Sequence, residues 1–153
     1  GILAAIAIPN FLRYQAKSRQ SEAKTNLGAI FVAETAYLSE NSRYGSFSEI
    51  GYALAGTTNR YTYRSPVAGG TGASAPVAYP AANYDQIVCG APAPCVAAGD
   101  NATFPSNAST VAGSVGFTAT AVASIDNDAT IDSWHVNDIK AGLTAADIDD
   151  VVS

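Results

Sequence analysis

The fold is decided by the first residues of the chain, GILAAIAIPNFLRYQAKSRQSEAKTNL (Gly1–Leu27), where an apolar run gives way to a basic segment at Arg13. A secretory signal peptide is excluded, because its positive charges precede the apolar run and here they follow it. The run Gly1–Pro9 is also shorter than the roughly 20 residues that a membrane-spanning helix needs. The residues alone leave two interpretations, the end of a longer apolar helix or the end of a buried one.

A long helix is predicted from Pro9 to Asn41, because good helix formers dominate and only Gly28 interrupts them. Apolar side chains recur there at the three- and four-residue spacing of one helical face: Leu12, Ala16, Ala23, Leu27, Ile30, Phe31, Tyr37 and Leu38. Pro9 is either the first residue of the helix or a kink within it. At 1.5 Å per residue the helix is roughly 50 Å long, so its first half must protrude and needs a partner.

Composition indicates an extracellular or surface protein. Of the 153 residues, 48% are hydrophobic and only 14% are charged, with a net charge of −5. This acidic balance argues against general nucleic-acid binding, which needs a basic surface. Methionine is absent, so we expect a processed or truncated chain.

Beyond Asn41 the sequence predicts a head built of short strands. Tyrosines alternate with polar residues over Arg60–Arg64, and apolar residues, mostly alanines, alternate with mostly polar ones over Gly116–Ile125. The alanines suit close packing of a helix on that face. DNDAT predicts a turn, and Ile131–Asp138 predicts the partner strand. One long helix followed by an antiparallel sheet is an α+β arrangement.

GILAAIAIPNF followed by a basic helix resembles the amino-terminal region of type IV pilins, beginning partway along it. SEAKTNL, NRYTYR and the strand around Asp132–Trp134 are similar to the type IVa-like major pilins of deltaproteobacteria. The resemblance implies the pilin fold, with one long amino-terminal helix packed on an antiparallel sheet of about four strands. It also implies that the chain is truncated at its amino terminus, upstream of which the full-length form begins with a methylated residue.

The resemblance further implies two parts. Residues 1–41 form a helical spine, of which 1–25 protrude and 26–41 pack on the head, and residues 42–153 form the globular head. Apolar side chains of the protruding half would join subunits in a filament core: Ile2, Leu3, Ile6, Ile8, Pro9, Phe11 and Leu12. Before assembly this helix would anchor the subunit in the inner membrane, where the pilus assembly machinery is a further partner. The fragment itself is expected to be monomeric.

By this resemblance the chain is a structural subunit of an extracellular pilus for motility, adhesion or DNA uptake, with no cofactor. The alternative is a major pseudopilin of type II secretion, whose calcium loop would correspond to Asp126, Asp128 and Asp132. The spacing lacks the Gly and distal Glu of an EF-hand. An Asp/Asn-rich turn whose side chains cap their own backbone is therefore the plainer interpretation, and we expect no metal.

Charge is divided unevenly along the chain. Four of the eight basic residues lie in the protruding helix, namely Arg13, Lys17, Arg19 and Lys24, and eight of the thirteen acidic ones lie from residue 100 onward. We expect the basic helix of one subunit to lie near the acidic head of another and to guide register; a merely solvated helical face is the alternative. Reversing Arg19 and Lys24 is accordingly expected to leave the stability of the isolated domain almost unchanged.

The two cysteines and the single histidine complete the candidate residues. Cys89 and Cys95 would form a disulfide in the oxidising compartment that the family implies. His135 has Asp132 nearby, but no nucleophile-elbow sequence occurs. We therefore predict no enzymatic activity and expect His135 on the face of its strand away from the core.

Overall fold

The computed structural model describes residues 1–54, 59–66, 84–87, 89–90, 117–125, 131–138, 140 and 142–143. Within them lie two helices and four strands: α1 (Ile2–Asn41), α2 (Phe47–Ile50), β1 (Thr62–Pro66), β2 (Tyr84–Ile87), β3 (Thr118–Ala123) and β4 (Asp132–Asn137). The four strands form one antiparallel sheet. The predicted α+β class is confirmed.

Helix α1 is 40 residues long and ends at a left-handed residue. Ser42 has a φ of 58° and donates its backbone N–H to the carbonyl of Leu38 at 2.8 Å. Pro9 lies inside the helix, so the alternative that it begins the helix is wrong. Because proline has no N–H, the carbonyl of Ala5, four positions back, receives no helical hydrogen bond from it.

The short helix α2 was not predicted, although its capping signal stands in the sequence. Ser46 and Glu49 form a capping box, in which the Glu49 side chain accepts from the Ser46 N–H at 2.8 Å. Gly51 ends the helix with a φ of 66°, a left-handed conformation that glycine adopts without strain. The helix places Phe47 in the core.

The strand order in the sheet is β2-β1-β3-β4. Tyr63 lies opposite Ile87 on one side and Ala121 on the other, and Ala121 in turn lies opposite Trp134. Predicted strands at Arg60–Arg64, Gly116–Ile125 and Ile131–Asp138 correspond to β1, β3 and β4, with ends shifted by one or two residues. β2 was not predicted.

The core lies between α1 and one face of the sheet. The helix contributes Ala23, Leu27 and Ile30, and the sheet face contributes Ala119 and Ala121 from β3, as the alternation predicted. Larger side chains surround this contact and close the core: Phe47, Tyr61, Tyr63, Phe117, Ile125, Trp134 and Val136. The small alanine side chains let the helix approach the strand backbone closely.

The other face of the sheet carries polar side chains and is buried as well. Thr120 of β3 lies opposite His135 of β4, and both are almost fully buried. Gly142, with a φ of 101°, lies against this position, where a Cβ would come 2.3 Å from the carbonyl oxygen of His135. Only glycine fits such a contact, so residue 142 can lie directly against His135 of β4. His135 is thus on the face away from the helix, as predicted, but it is not solvated.

The helix meets the sheet earlier than expected. Its first buried residue is Gln20, followed by Ala23, whereas the expected boundary between the protruding and packed halves was 25/26. The contact extends towards the amino terminus because the polar side chains of Arg19 and Gln20 reach β4 and the end of β3. Ala16, which is half-buried, packs against the core as well, so the contact of α1 with the head begins near residue 16.

Candidate functional site

The first part of α1 exposes large apolar side chains and buries none. Six of the predicted assembly residues are 57 to 85% exposed: Ile2, Leu3, Ile6, Ile8, Phe11 and Leu12. Pro9, the seventh, is exposed too. With about 3.6 residues per turn, these positions lie on all sides of the helix rather than along one stripe. An apolar surface of this form suits a helix that is surrounded by several partners.

The four basic residues of α1 fall into two pairs with different surroundings. Arg13 and Lys17 are exposed and line a shallow cleft of about 190 Å³ together with Asn10 and Tyr14. Arg19 instead donates from its guanidinium to the carbonyl of Ile125, next to the end of β3. Arg19 therefore contacts its own head, which was not predicted; that the four residues serve contacts between subunits stays a prediction.

Lys24 also contacts the head of its own chain. Its ammonium group lies 4.8 Å from the centre of the Trp134 ring, within the range of a cation–π interaction. The expectation that reversal of Arg19 and Lys24 would leave the domain's stability unchanged conflicts with these contacts. Both residues lie where α1 crosses the sheet; Arg19 is half-buried there, whereas Lys24 is exposed and contacts the Trp134 ring from the solvent side.

A buried carboxylate joins the helix to the sheet. Asp132, the first residue of β4, accepts hydrogen bonds from Gln20 Nε2 at 2.7 Å, Tyr61 OH at 2.5 Å and Trp134 Nε1 at 2.6 Å. Its side chain is fully buried, so removing this acceptor takes a hydrogen bond from three donors of the helix and the sheet. Burial and the neighbouring Asp132 charge raise the pKa of Tyr61, which therefore stays a donor.

A second polar contact lies two residues further along α1, at Glu22. The carboxylate of Glu22 accepts from the backbone N–H of Arg60 at 3.0 Å and that of Tyr61 at 3.3 Å, just before β1. Asn26 donates to Tyr63 OH at 2.8 Å. Helix α1 is therefore held on the sheet by side chains at both edges of its apolar contact. We call residues 19–26 with their partners on the head the helix–sheet joint.

Glu34 is a buried acid near the end of α1. One carboxylate oxygen accepts from the backbone N–H of Gly45 at 3.0 Å, and the other has no hydrogen-bond partner within the part of the chain that the structure describes. Burial raises the pKa of Glu34 to about 7; the Gly45 hydrogen bond opposes the rise and the charge of Glu49 adds to it. The contact ties the end of the helix to the loop before α2.

The other candidates from the sequence are three aspartates, the two cysteines and the single histidine. Asp126 and Asp128 lie outside the described residues. Asp132 accepts hydrogen bonds within the helix–sheet joint. Among the described residues no group of three metal-ligating side chains occurs. Cys89 is disulfide-bonded, and Cys95 lies outside the described residues, so its role stays a prediction. His135 is buried beside Gly142.

Sequence reasoning found the apolar part of the buried stripe of α1 but missed its polar members. The buried helix residues are Gln20, Ala23, Leu27, Ile30 and Glu34, which alternate steps of three and four. Continuing the spacing in both directions from the apolar members would have identified Gln20 and Glu34. A polar residue at a core position of a periodic helix signals a buried partner, because an unpaired polar group there is costly.

No helix in the described ranges contains a stretch apolar and long enough to cross a bilayer. No family model matches the chain. It is 42% identical to the type IV major pilin protein PilA of Myxococcus xanthus strain DK1622 over 160 aligned residues, covering 89% of this chain and 72% of that protein. This identity extends over most of both chains and agrees with the long helix on an antiparallel sheet. The chain belongs to the type IV pilins.

Proposed function

We propose that the chain is the structural subunit of a type IV pilus, which assembles through the first part of α1 into a helical filament at the cell surface. The observation that carries the proposal is the exposure of Ile2, Leu3, Ile6, Ile8, Phe11 and Leu12 on all sides of one helix. A flat binding site would need one apolar stripe. A helix apolar on every side suits the centre of a bundle, where each subunit contacts several copies.

The helix–sheet joint fits a subunit that carries load. A pull on the first part of α1 passes to the sheet through Gln20 and Glu22, whose side chains bond to β4 and to the residues before β1. The contact combines buried hydrogen bonds with the apolar packing of Ala23 and Leu27. Such a joint serves a filament under tension, as in motility, adhesion or DNA uptake.

Two further partners belong to the proposal. Before assembly the apolar part of α1 would contribute to an anchor in the inner membrane, and the pilus assembly machinery would extract the subunit from it. Burial of apolar area, at about 25 cal/mol per Å², would supply most of the assembly free energy. We also assign Cys95 as the disulfide partner of Cys89, since the chain has two cysteines.

The proposal is tested by Ile6→Asp in the full-length gene product, expressed in a piliated host that lacks its own major pilin. Val32→Asp is the matched control, because Val32 is an equally exposed apolar residue on the same helix, 67% exposed against 60% for Ile6. We expect Ile6→Asp to abolish sheared filaments while its subunit remains in the membrane fraction, and Val32→Asp to retain them. Normal filaments from Ile6→Asp would overturn the proposal.

A further inference from the structure

The cleft of Asn10, Arg13, Tyr14 and Lys17 lies on the exposed side of α1. These residues follow one another at positions i, i+3, i+4 and i+7, so they share one side of α1. Arg13 and Lys17 are exposed, and within the described ranges neither has a hydrogen bond or an ion pair. Two cations four residues apart, flanked by an amide and a phenol, form a site for carboxylates.

Most described acidic side chains are already engaged. Glu22 and Asp132 belong to the helix–sheet joint, Glu34 is buried at Gly45, and Glu49 pairs with Arg43 at 2.8 Å. The densest remaining acidic segment is Asp147-Ile148-Asp149-Asp150, with three carboxylates in four residues. From residue 100 onward the chain carries eight acids against one base, Lys140.

We infer that the Arg13–Lys17 cleft receives the carboxylates of Asp147, Asp149 and Asp150 of a second copy of the chain. The inference rests on the proposed function and deepens it, because it assigns the apolar residues of α1 to affinity and this cleft to register. A pair of cations with three anions brings opposite charges together and penalises registers in which like charges meet. Arg19 and Lys24 take no part, since they contact their own head.

The test is a charge exchange in the full-length chain. Arg13→Glu with Lys17→Glu should lower filament yield about tenfold. This is the equivalent of about 1.4 kcal/mol for the whole contact between one cleft and one acidic segment. Adding Asp147→Lys, Asp149→Lys and Asp150→Lys to that variant should restore the yield, whereas adding Asp126→Lys and Asp128→Lys should not. Arg13→Lys with Lys17→Arg, which keeps both charges, should assemble normally.

A second measurement separates an intermolecular contact from one within the chain. Thermal unfolding of the present 153-residue chain should be unchanged by Arg13→Glu with Lys17→Glu. A lowered midpoint would place the acidic partner in the same molecule and overturn the inference. Normal filaments from the reversed pair, or no rescue by the carboxy-terminal exchange, would also overturn it. Absence of filaments from the unmodified full-length chain would instead overturn the proposed function, and this inference with it.

Discussion

The two parts of α1 have the same backbone but opposite relations to solvent. Before residue 19 large apolar side chains such as Leu3 and Phe11 are exposed on all sides, and no residue is buried. From Gln20 to Glu34 the buried residues form one narrow stripe on the sheet. A helix whose apolar pattern changes from all sides to one side has two kinds of partner; its own head is one, and under the proposed function other subunits are the second.

The two parts also differ in how polar groups are used. In the packed part, Gln20 and Glu34 stand in the buried stripe itself and bond to Asp132 and Gly45. In the first part, the polar side chains are exposed, among them Arg13 and Lys17. Buried hydrogen bonds fix one orientation of helix and sheet, because any other leaves polar groups unpaired. Exposed charges do not fix the orientation of the first part within the subunit, so their side chains remain available to bind a second molecule.

The largest effect on the packed part is expected from Asp132→Ala. The change removes the shared acceptor of Gln20, Tyr61 and Trp134, which should lower the free energy of unfolding by about 3–5 kcal/mol. Denaturant unfolding of the isolated chain measures it. Asp138→Ala, at a half-buried position just after β4, is the control and should cost less than about 1 kcal/mol. Equal losses from the two variants would contradict the central role of Asp132.

A smaller effect is expected from pH, through Glu34. Its folded-state pKa of about 7 lies above the ordinary value of 4.5, so the folded protein binds this proton more tightly than the unfolded chain. The stabilisation is fully present below pH 4.5 and is lost as the pH rises through 7, at a total of about 2–3 kcal/mol. Glu34→Gln should flatten this part of the stability profile.

The matched control for Glu34 is Glu40→Gln, because Glu40 is exposed on the same helix. Its profile should keep the slope of the parent chain between pH 4.5 and 7. Unfolding followed at several pH values for the three proteins gives the comparison. A parent chain whose stability does not fall over this range would show that Glu34 is not buried as a neutral acid.

Substitution of the basic residues compares the two parts directly. Arg19→Glu removes the hydrogen bond to the Ile125 carbonyl and should lower the free energy of unfolding of the isolated chain by about 1–2 kcal/mol. Arg13→Glu, in the exposed part, should change it by less than about 0.5 kcal/mol. Thermal melts of both variants check this order. The reverse order would mean that the joint begins nearer the amino terminus.

The smallest effect is expected from calcium. Asp132, the only one of the three candidate ligands in the described residues, has both oxygens engaged by Gln20, Tyr61 and Trp134. We therefore expect the same unfolding midpoint with calcium and with a chelator. A rise of more than a few degrees in calcium would demonstrate stabilisation by a bound ion and would favour the pseudopilin alternative.

The sequence predicted those features that follow from periodicity. The end of α1 at Asn41 and the alternation of side chains in β3 and β4 follow from patterns that repeat along the chain, whereas α1 begins at Ile2 and not at the predicted Pro9. Contacts between distant residues were missed, such as Gln20 with Asp132 and Glu22 with the backbone of Arg60. No local sequence pattern specifies which carboxylate of the sheet a helix side chain contacts, because that depends on the order of the strands in the sheet. The contact of Arg19 with its own head was missed for this reason, because its charge is visible in the sequence and its partner, a backbone carbonyl, is not.

The central claim is that the first part of α1 becomes buried between subunits. Its most direct test is maleimide labelling of Ile6→Cys, because Ile6 is 60% exposed and Cys89 is already disulfide-bonded. We predict rapid labelling in the isolated chain, protection in intact filaments of the full-length form, and full labelling once those filaments are dissociated in detergent. Labelling of intact filaments as fast as that of the isolated chain would contradict the claim.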